Sequence, residues 1–212
     1  HSLISYKKIK CGESFPVRRF LQTAPRRLAQ FDGTVDAVIG FWDFPVSTLL
    51  PILQKQAGLV GPSLNAVLKC EHKYWSRLEQ AKAVPAIIPP FQKIDPFQKD
   101  PLAQCRLRFP FWLKPVKSVL SYLGFLIRDR DEFARCIRFV RQGIGRYADP
   151  FNVLLNAADL PEEIQAVDGY HCIAEGLISR GRQCTLEGYV HKGDIHVYGI
   201  IDSVREGTHK SC

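Results

Sequence analysis

Phe109-Pro110-Phe111-Trp112-Leu113-Lys114-Pro115 reads as a short apolar strand that ends on a lysine. A continuous apolar run of this kind belongs to a strand covered on both faces. The end of such a strand is where a sheet presents groups to a ligand, and a cation placed there needs an anionic partner. A structural ion pair is the other reading of Lys114, because ion pairs occupy such places as well. Leu123-Gly124-Phe125-Leu126-Ile127 repeats the strand pattern, with a short loop before it that carries Ser118 and Ser121.

Downstream, the spacing of Phe133, Cys136, Ile137 and Val140 predicts a helix over about 131–142. Asp129 or Asp131 can cap it, Glu132 suits its first turn, and Gly143 stops it. Residues 145–166 read as irregular, with one helical turn near 150–157. From Tyr170 the period becomes two. Tyr170 to Ile178 reads as a strand with Glu175 inside it, on the outward face if that strand lies at an edge. Segments 183–191 and 194–202 then form a hairpin around Lys192-Gly193.

Upstream, residues 89–105 hold Pro89, Pro90, Pro96 and Pro101 and read as a loop. Gly61-Pro62-Ser63 opens a single long helix, 64–83, striped by Leu68, Trp75, Leu78 and Ala81. Lys73 falls on its polar side, where a lysine is ordinarily solvated. Thr34 to Trp42 reads as a buried strand, 45–57 as a helix and Leu59-Val60-Gly61 as a second strand. That βαβ order suggests the end of a Rossmann-like domain. The sum is an α/β to α+β protein in at least two lobes.

The composition bounds the function classes. The 212 residues are 46% hydrophobic and 24% charged, which excludes wholesale disorder. Lys plus Arg number 29 against 21 acids, a net charge of +8 that favours anionic partners. No apolar run approaches the roughly 18 residues of a membrane helix. His1-Ser2-Leu3-Ile4 has no signal-peptide layout. With no Met and no element closed at its last residues, the chain reads as a fragment. Seven cysteines, at 11, 70, 105, 136, 172, 184 and 212, form no C-x-x-C. Cys70, Cys136 and Cys172 lie beside or within apolar segments, as free thiols of a reducing cytoplasm do.

Three segments carry a resemblance when taken in order. The first is Lys69-Cys70-Glu71-His72-Lys73-Tyr74-Trp75 leading to Ala83-Val84-Pro85. The second is Phe109 to Pro115 followed by Ser118, Ser121 and Gly124. The third is Cys172-Ile173-Ala174-Glu175-Gly176-Leu177-Ile178, then Gly181 to Gly188. Together they resemble the ATP-grasp superfamily, in its carboxylate–amine or thiol ligase branch, over about residues 34–205.

The resemblance implies an ATP-grasp fold of two α+β lobes that clamp ATP, truncated at its C-terminal side. Residues 1–66 would end the Rossmann-like domain, 67–169 would form the first lobe and 170–212 would begin the second. Lys73 matches the family lysine on the α-phosphate side, and Lys114 the one at the α- and β-phosphates. Residues 116–124 match the phosphate-covering loop, with Ser118 and Ser121 as hydroxyl donors. Glu175, Gly176 and Leu177 match the hinge whose backbone meets adenine, with Ile173 and Ile127 to sandwich the ring. Gln183 falls where the ribose hydroxyls are held.

The implied reaction is ATP-dependent phosphorylation of a small carboxylic acid to an acylphosphate, which an amine or similar nucleophile then attacks. Two Mg2+ ions would bridge the phosphates, on ligands expected beyond Cys212, and no protein nucleophile takes part. The fragment alone is expected to be inactive. The loop has no glycine before Gly124, Gly176 stands where the family has a second hinge Glu, and Ser203 stands where it has a Lys.

Two other classes compete. A degenerate nucleotide-binding module would tolerate the glycine-poor loop. A nucleic-acid binder would use Arg18, Arg19, Arg26 and Arg27, or Arg128, Arg130, Arg135, Arg138 and Arg141 with Phe133 and Phe139, although a solvated helix face is the preferred reading of these. His191 and His196 flank the hairpin turn without enough ligands for zinc. Asp43 to Ser47 either lines the cleft or caps a helix.

Overall fold

The computed structural model describes residues 1–10, 14–178 and 183–203. The chain divides into two units, His1–Leu177 and Ile178–Cys212. The first unit begins with helices α1 (Tyr6–Lys10), α2 (Val17–Ala29), α3 (Val46–Gln56), α4 (Leu64–Glu71) and α5 (Lys73–Ala83). Strands β1 (Phe91–Ile94), β2 (Phe111–Pro115) and β3 (Phe125–Ile127) follow, then helices α6 (Arg130–Gly143), α7 (Gly145–Leu155) and α8 (Glu162–Gln165), and strand β4 (Cys172–Gly176). The second unit holds β5 (Gln183–His191) and β6 (Asp194–Ser203).

The first unit's sheet has the order β1-β4-β2-β3, and all its pairs are antiparallel. β4 is therefore an inner strand, with Glu175 opposite Phe91 on one side and Trp112 on the other. Four of its five residues are buried, which is why Cys172 to Gly176 reads as an apolar run. The edge-strand reading of Glu175 is corrected by this placement.

Helix α6 covers the sheet through Phe133, Ile137 and Val140, which pack with Ile94, Phe111, Leu113, Ile127 and Ala174. Asp129 caps it by accepting the Glu132 N–H at 2.7 Å. A second core joins α2, α4, α5 and α7 around Phe44, Leu68, Trp75 and Phe151.

Several expected elements differ. Thr34 to Trp42 and Leu59 to Gly61 form no strand, so the βαβ unit is absent from the described residues. Val38 is buried, but Ile39, Phe41 and Val60 lie open to solvent, and no neighbouring strand meets their backbone. The loop read over 89–105 contains β1, whose Gln92 and Lys93 disguise it. The stretch read as irregular over 145–166 holds α7 and α8. Pro150 sits inside α7, where burial of Tyr147, Ala148, Phe151 and Leu154 outweighs its poor propensity.

The single helix read over 64–83 breaks at His72. The His72 backbone is extended, and its Nδ1 accepts the Trp75 N–H at 3.2 Å, capping α5. Nε2–H donates to the Val167 carbonyl at 2.8 Å, so the ring is neutral. Burial is the main cause that pushes the imidazole pKa down to about 4. The unfolded chain binds the extra proton between pH 6.5 and 4, so stability falls as pH drops through that window. His72→Gln is expected to remove most of a roughly 2 kcal/mol acid-side loss, read from denaturant midpoints at pH 7 and 4.5.

The second unit is the hairpin expected from its period. β5 and β6 pair from Gln183↔Ser203 to His191↔Asp194. Lys192 and Gly193 take φ of 52° and 95°, the left-handed pair that a two-residue turn requires.

Candidate functional site

Trp112 and Glu175 are direct cross-strand partners, so their side chains share one face of the sheet. Lys114 is two residues along β2 and points to the same face. Its Nζ lies 2.5 Å from Glu175 Oε2. Arg77 reaches Glu175 from α5, with Nε 2.5 Å from Oε1. Each carboxylate oxygen is thus held by a different cation. Burial pushes the Glu175 carboxyl upward, but Lys114 and Arg77 outweigh it and hold it below the usual carboxylate range.

Lys73 opens α5, one turn before Arg77, so the two share a helix face. Its N–H donates to the Val116 carbonyl at 2.9 Å, which fixes the start of α5 against the end of β2. Its Nζ donates to the Ser118 carbonyl at 2.9 Å and to Ser118 Oγ at 3.3 Å. Burial, followed by repulsion from Lys114, pushes its ammonium down to about 8, against the pull of Glu175 and Asp43. Arg77 and Lys114 therefore share one carboxylate, while the Lys73 ammonium, held at Ser118, lies close enough to be repelled by Lys114. The surplus positive charge, part of it reluctant to stay protonated, suits an anion of several charges.

The loop that follows takes conformations glycine would favour. Leu120, Ser121 and Leu123 have φ of 50°, 56° and 56°. Each left-handed residue with a side chain costs roughly 1–2 kcal/mol. Leu120 is 89% exposed and no packing opposes its removal. Leu120→Gly is expected to raise unfolding stability by about 0.5–1 kcal/mol, after the entropy that glycine adds to the unfolded chain. A loss of stability in urea denaturation would show that Leu120 packs.

The expected site residues are placed as follows. Lys73, Lys114, Ser118 and Glu175 come together, while Ser121 lies on the exposed side of the loop. Gly176 gives its N–H to the Pro90 carbonyl at 2.8 Å, so it is not a donor for a base. Leu177 ends the first unit, 48% exposed. Gln183 begins β5 in the second unit, and its side chain lies outside the described residues. Ile127 and Ile173, expected to sandwich adenine, are fully buried in the core and offer no face to a ring. Among the described residues no group of three or more His, Cys, Asp or Glu could hold a metal ion.

Two groups escaped the sequence reading. Arg77 was visible only as the residue four after Lys73. Lys117 Nζ pairs with Glu71, whose other oxygen accepts Ser47 Oγ at 2.6 Å, and it lies 4.8 Å from the Phe44 ring centre. At 3% exposure this lysine is buried, and no spacing signals it. The nucleic-acid reading of α6 weakens. Phe133 is core, Arg141 donates to the Pro96 and Gln98 carbonyls, and Arg128 pairs with Glu132. Of the thiols expected to pack, Cys172 is buried and Cys136 half-buried, but Cys70 is exposed. No helix among the described residues is long and apolar enough to cross a membrane.

No protein-family model matches the sequence, and no curated protein does. Solved structures do. An L-amino acid ligase from Bacillus licheniformis superposes with a TM-score of 0.58 at 16% identity, over 87% of this chain and 37% of that one. A D-alanine-D-alanine ligase from Helicobacter pylori gives 0.53 at 15%, over 78% and 45%. An N5-carboxyaminoimidazole ribonucleotide synthetase in its ADP complex gives 0.59 at 12%, over 89% and 42%. The chain shares its fold with the matched part of these structures, in line with the ATP-grasp fold expected from the sequence. It spans less than half the length of each.

Proposed function

We propose that this chain is the nucleotide-binding part of an ATP-dependent carboxylate–amine ligase. The observation that carries the reading is the gathering of three cations at one place, Arg77 and Lys114 on Glu175 and the buried Lys73 at Ser118 beside Lys114, on a fold shared with ligases. Lys73 and Lys114 would meet the phosphates of ATP, whose charge compensates their mutual repulsion. Ser118 would offer its hydroxyl once Lys73 turns to phosphate, and Ser121 would add a second. Glu175, held by Arg77, orients Lys114. The hinge contact to adenine would fall to the backbone of Leu177, just past the end of β4.

The reaction is transfer of the γ-phosphoryl group to a carboxylate, followed by attack of an amine on the acylphosphate and loss of phosphate. The residues described here bind and neutralise; none acts as a covalent nucleophile. Residues 1–66, 67–169 and 170–212 are assigned to the preceding domain, the first lobe and the start of the second. Free thiols at Cys70, Cys105, Cys172 and Cys184 support a cytoplasmic setting.

Titration calorimetry of the full protein with MgATP tests the reading. Saturable 1:1 binding that is lost in Lys114→Met supports it. Salt-dependent binding to RNA or DNA with no response to MgATP would favour the basic-surface alternative.

A further inference from the structure

Arg146 is the second residue of α7, where α6 and α7 join. Its guanidinium carbon lies 5.1 Å from the ring centre of Tyr122 and 5.5 Å from that of Tyr147. The two rings are 5.3 Å apart and tilted by 60°. Tyr122 donates its hydroxyl to the Gly143 carbonyl at 3.1 Å, which ties the far end of the 116–124 loop to this junction. The same loop touches Lys73 at Ser118, so one short segment spans both places.

Ring faces attract a guanidinium but leave its N–H donors unsatisfied. Arg146 Nε is buried and has no hydrogen-bond partner. Among the described residues no carboxylate or carbonyl meets the rest of the group. Buried donors are nearly always paired in folded chains, so the unpaired Nε of this half-buried arginine is an exception. Lys117 and Arg77, which are also drawn into the fold, both have carboxylate partners. Arg146 is oriented by aromatic packing and left without an acceptor.

We propose that Arg146, framed by Tyr122 and Tyr147, is a subsite for the carboxylate of a small organic acid. A guanidinium presents parallel N–H groups that match a planar carboxylate, and the two rings fix the plane in which this one presents them. That this carboxylate is the one to be activated rests on the ligase reading; the existence of the subsite does not.

The test follows the Arg146 Nε–Hε signal by NMR in the full protein, assigned by its disappearance in Arg146→Lys. Propionate, propionamide and inorganic phosphate are titrated in turn, with MgATP binding measured alongside. Propionate is expected to shift the signal saturably, and propionamide and phosphate at least tenfold more weakly. Arg146→Met, which keeps an apolar stem between the rings, is expected to lose propionate binding at least tenfold and keep MgATP affinity within twofold. No response to propionate, an equal response to the amide or to phosphate, or propionate binding that survives Arg146→Met overturns the proposal. The three titrations of the unaltered protein stand even if a variant fails to fold. If propionate binds at Arg146 while MgATP does not bind, the ligase reading fails and the subsite holds; the opposite pattern removes the subsite alone.

Discussion

Glu175→Leu is expected to destabilise the first unit by about 3 kcal/mol, toward the lower end of the range for breaking a buried ion pair. The carboxylate is 5% exposed and accepts from two cations, while Arg77 and Lys114 are 20% and 30% exposed and recover some hydration when it is gone. Leucine leaves both cations against the sheet with nothing to compensate them. Glu175→Gln keeps the shape and part of the hydrogen bonding, and should cost less. The carboxyl is held below its usual range, so the stabilisation is present above that range and is lost as pH falls through the lowered value. Urea unfolding at pH 7 and pH 3 reads both effects. A cost under about 1 kcal/mol at pH 7 would mean the cluster is solvated like an ordinary surface pair.

The second large effect concerns pH and Lys73. Its ammonium sits near 8 because it is buried beside Lys114. Two consequences run in opposite directions. Between pH 8 and 10.5 the unfolded chain holds the proton and the folded chain does not, so stability rises with pH. Affinity for a polyphosphate needs the charged form, so MgATP binding should weaken as pH rises from 7 to 9, approaching tenfold per unit at the upper end. Bound phosphate raises the ammonium pKa and extends the slope upward. Lys73→Met is expected to bind MgATP about 10–100-fold more weakly at pH 7 and to lose most of the slope, in keeping with one charge-assisted hydrogen bond. A rise in affinity with pH, or an unchanged slope in the variant, would contradict the role given to Lys73.

The strands that bear the site were legible because both faces of the sheet are covered, leaving continuous apolar runs at Phe111 to Leu113 and Cys172 to Ala174. Helix α6 was legible through its cap and spacing. β1 was not, since its Gln92 and Lys93 interrupt the apolar pattern and prolines flank it; pairing with β4 makes it a strand. The break at His72 was hidden because its cause is a tertiary contact, the hydrogen bond to Val167. Thr34 to Trp42 misled in the opposite sense: a strand-like sequence stays unpaired when no neighbour offers an edge.

Lys114 could be singled out from its place at the end of a strand, and Lys73 only through the resemblance. That Lys114 would share Glu175 with Arg77 follows from the register of β2 on β4 and the turn between Lys73 and Arg77. Neither is written in local spacing. Lys117 and Arg146 were unreadable for the same reason, their surroundings being assembled from α3, α4, α7 and the loop at 116–124.

The most direct measurement is calorimetric titration of MgATP into the full protein and into its Lys73→Met/Lys114→Met double variant at pH 7. Binding at one site in the unaltered protein, weakened at least 100-fold in the double variant, is the predicted result. No saturable binding to the unaltered protein, or equal affinity in both, would contradict the assignment of this cation cluster to the phosphates of ATP.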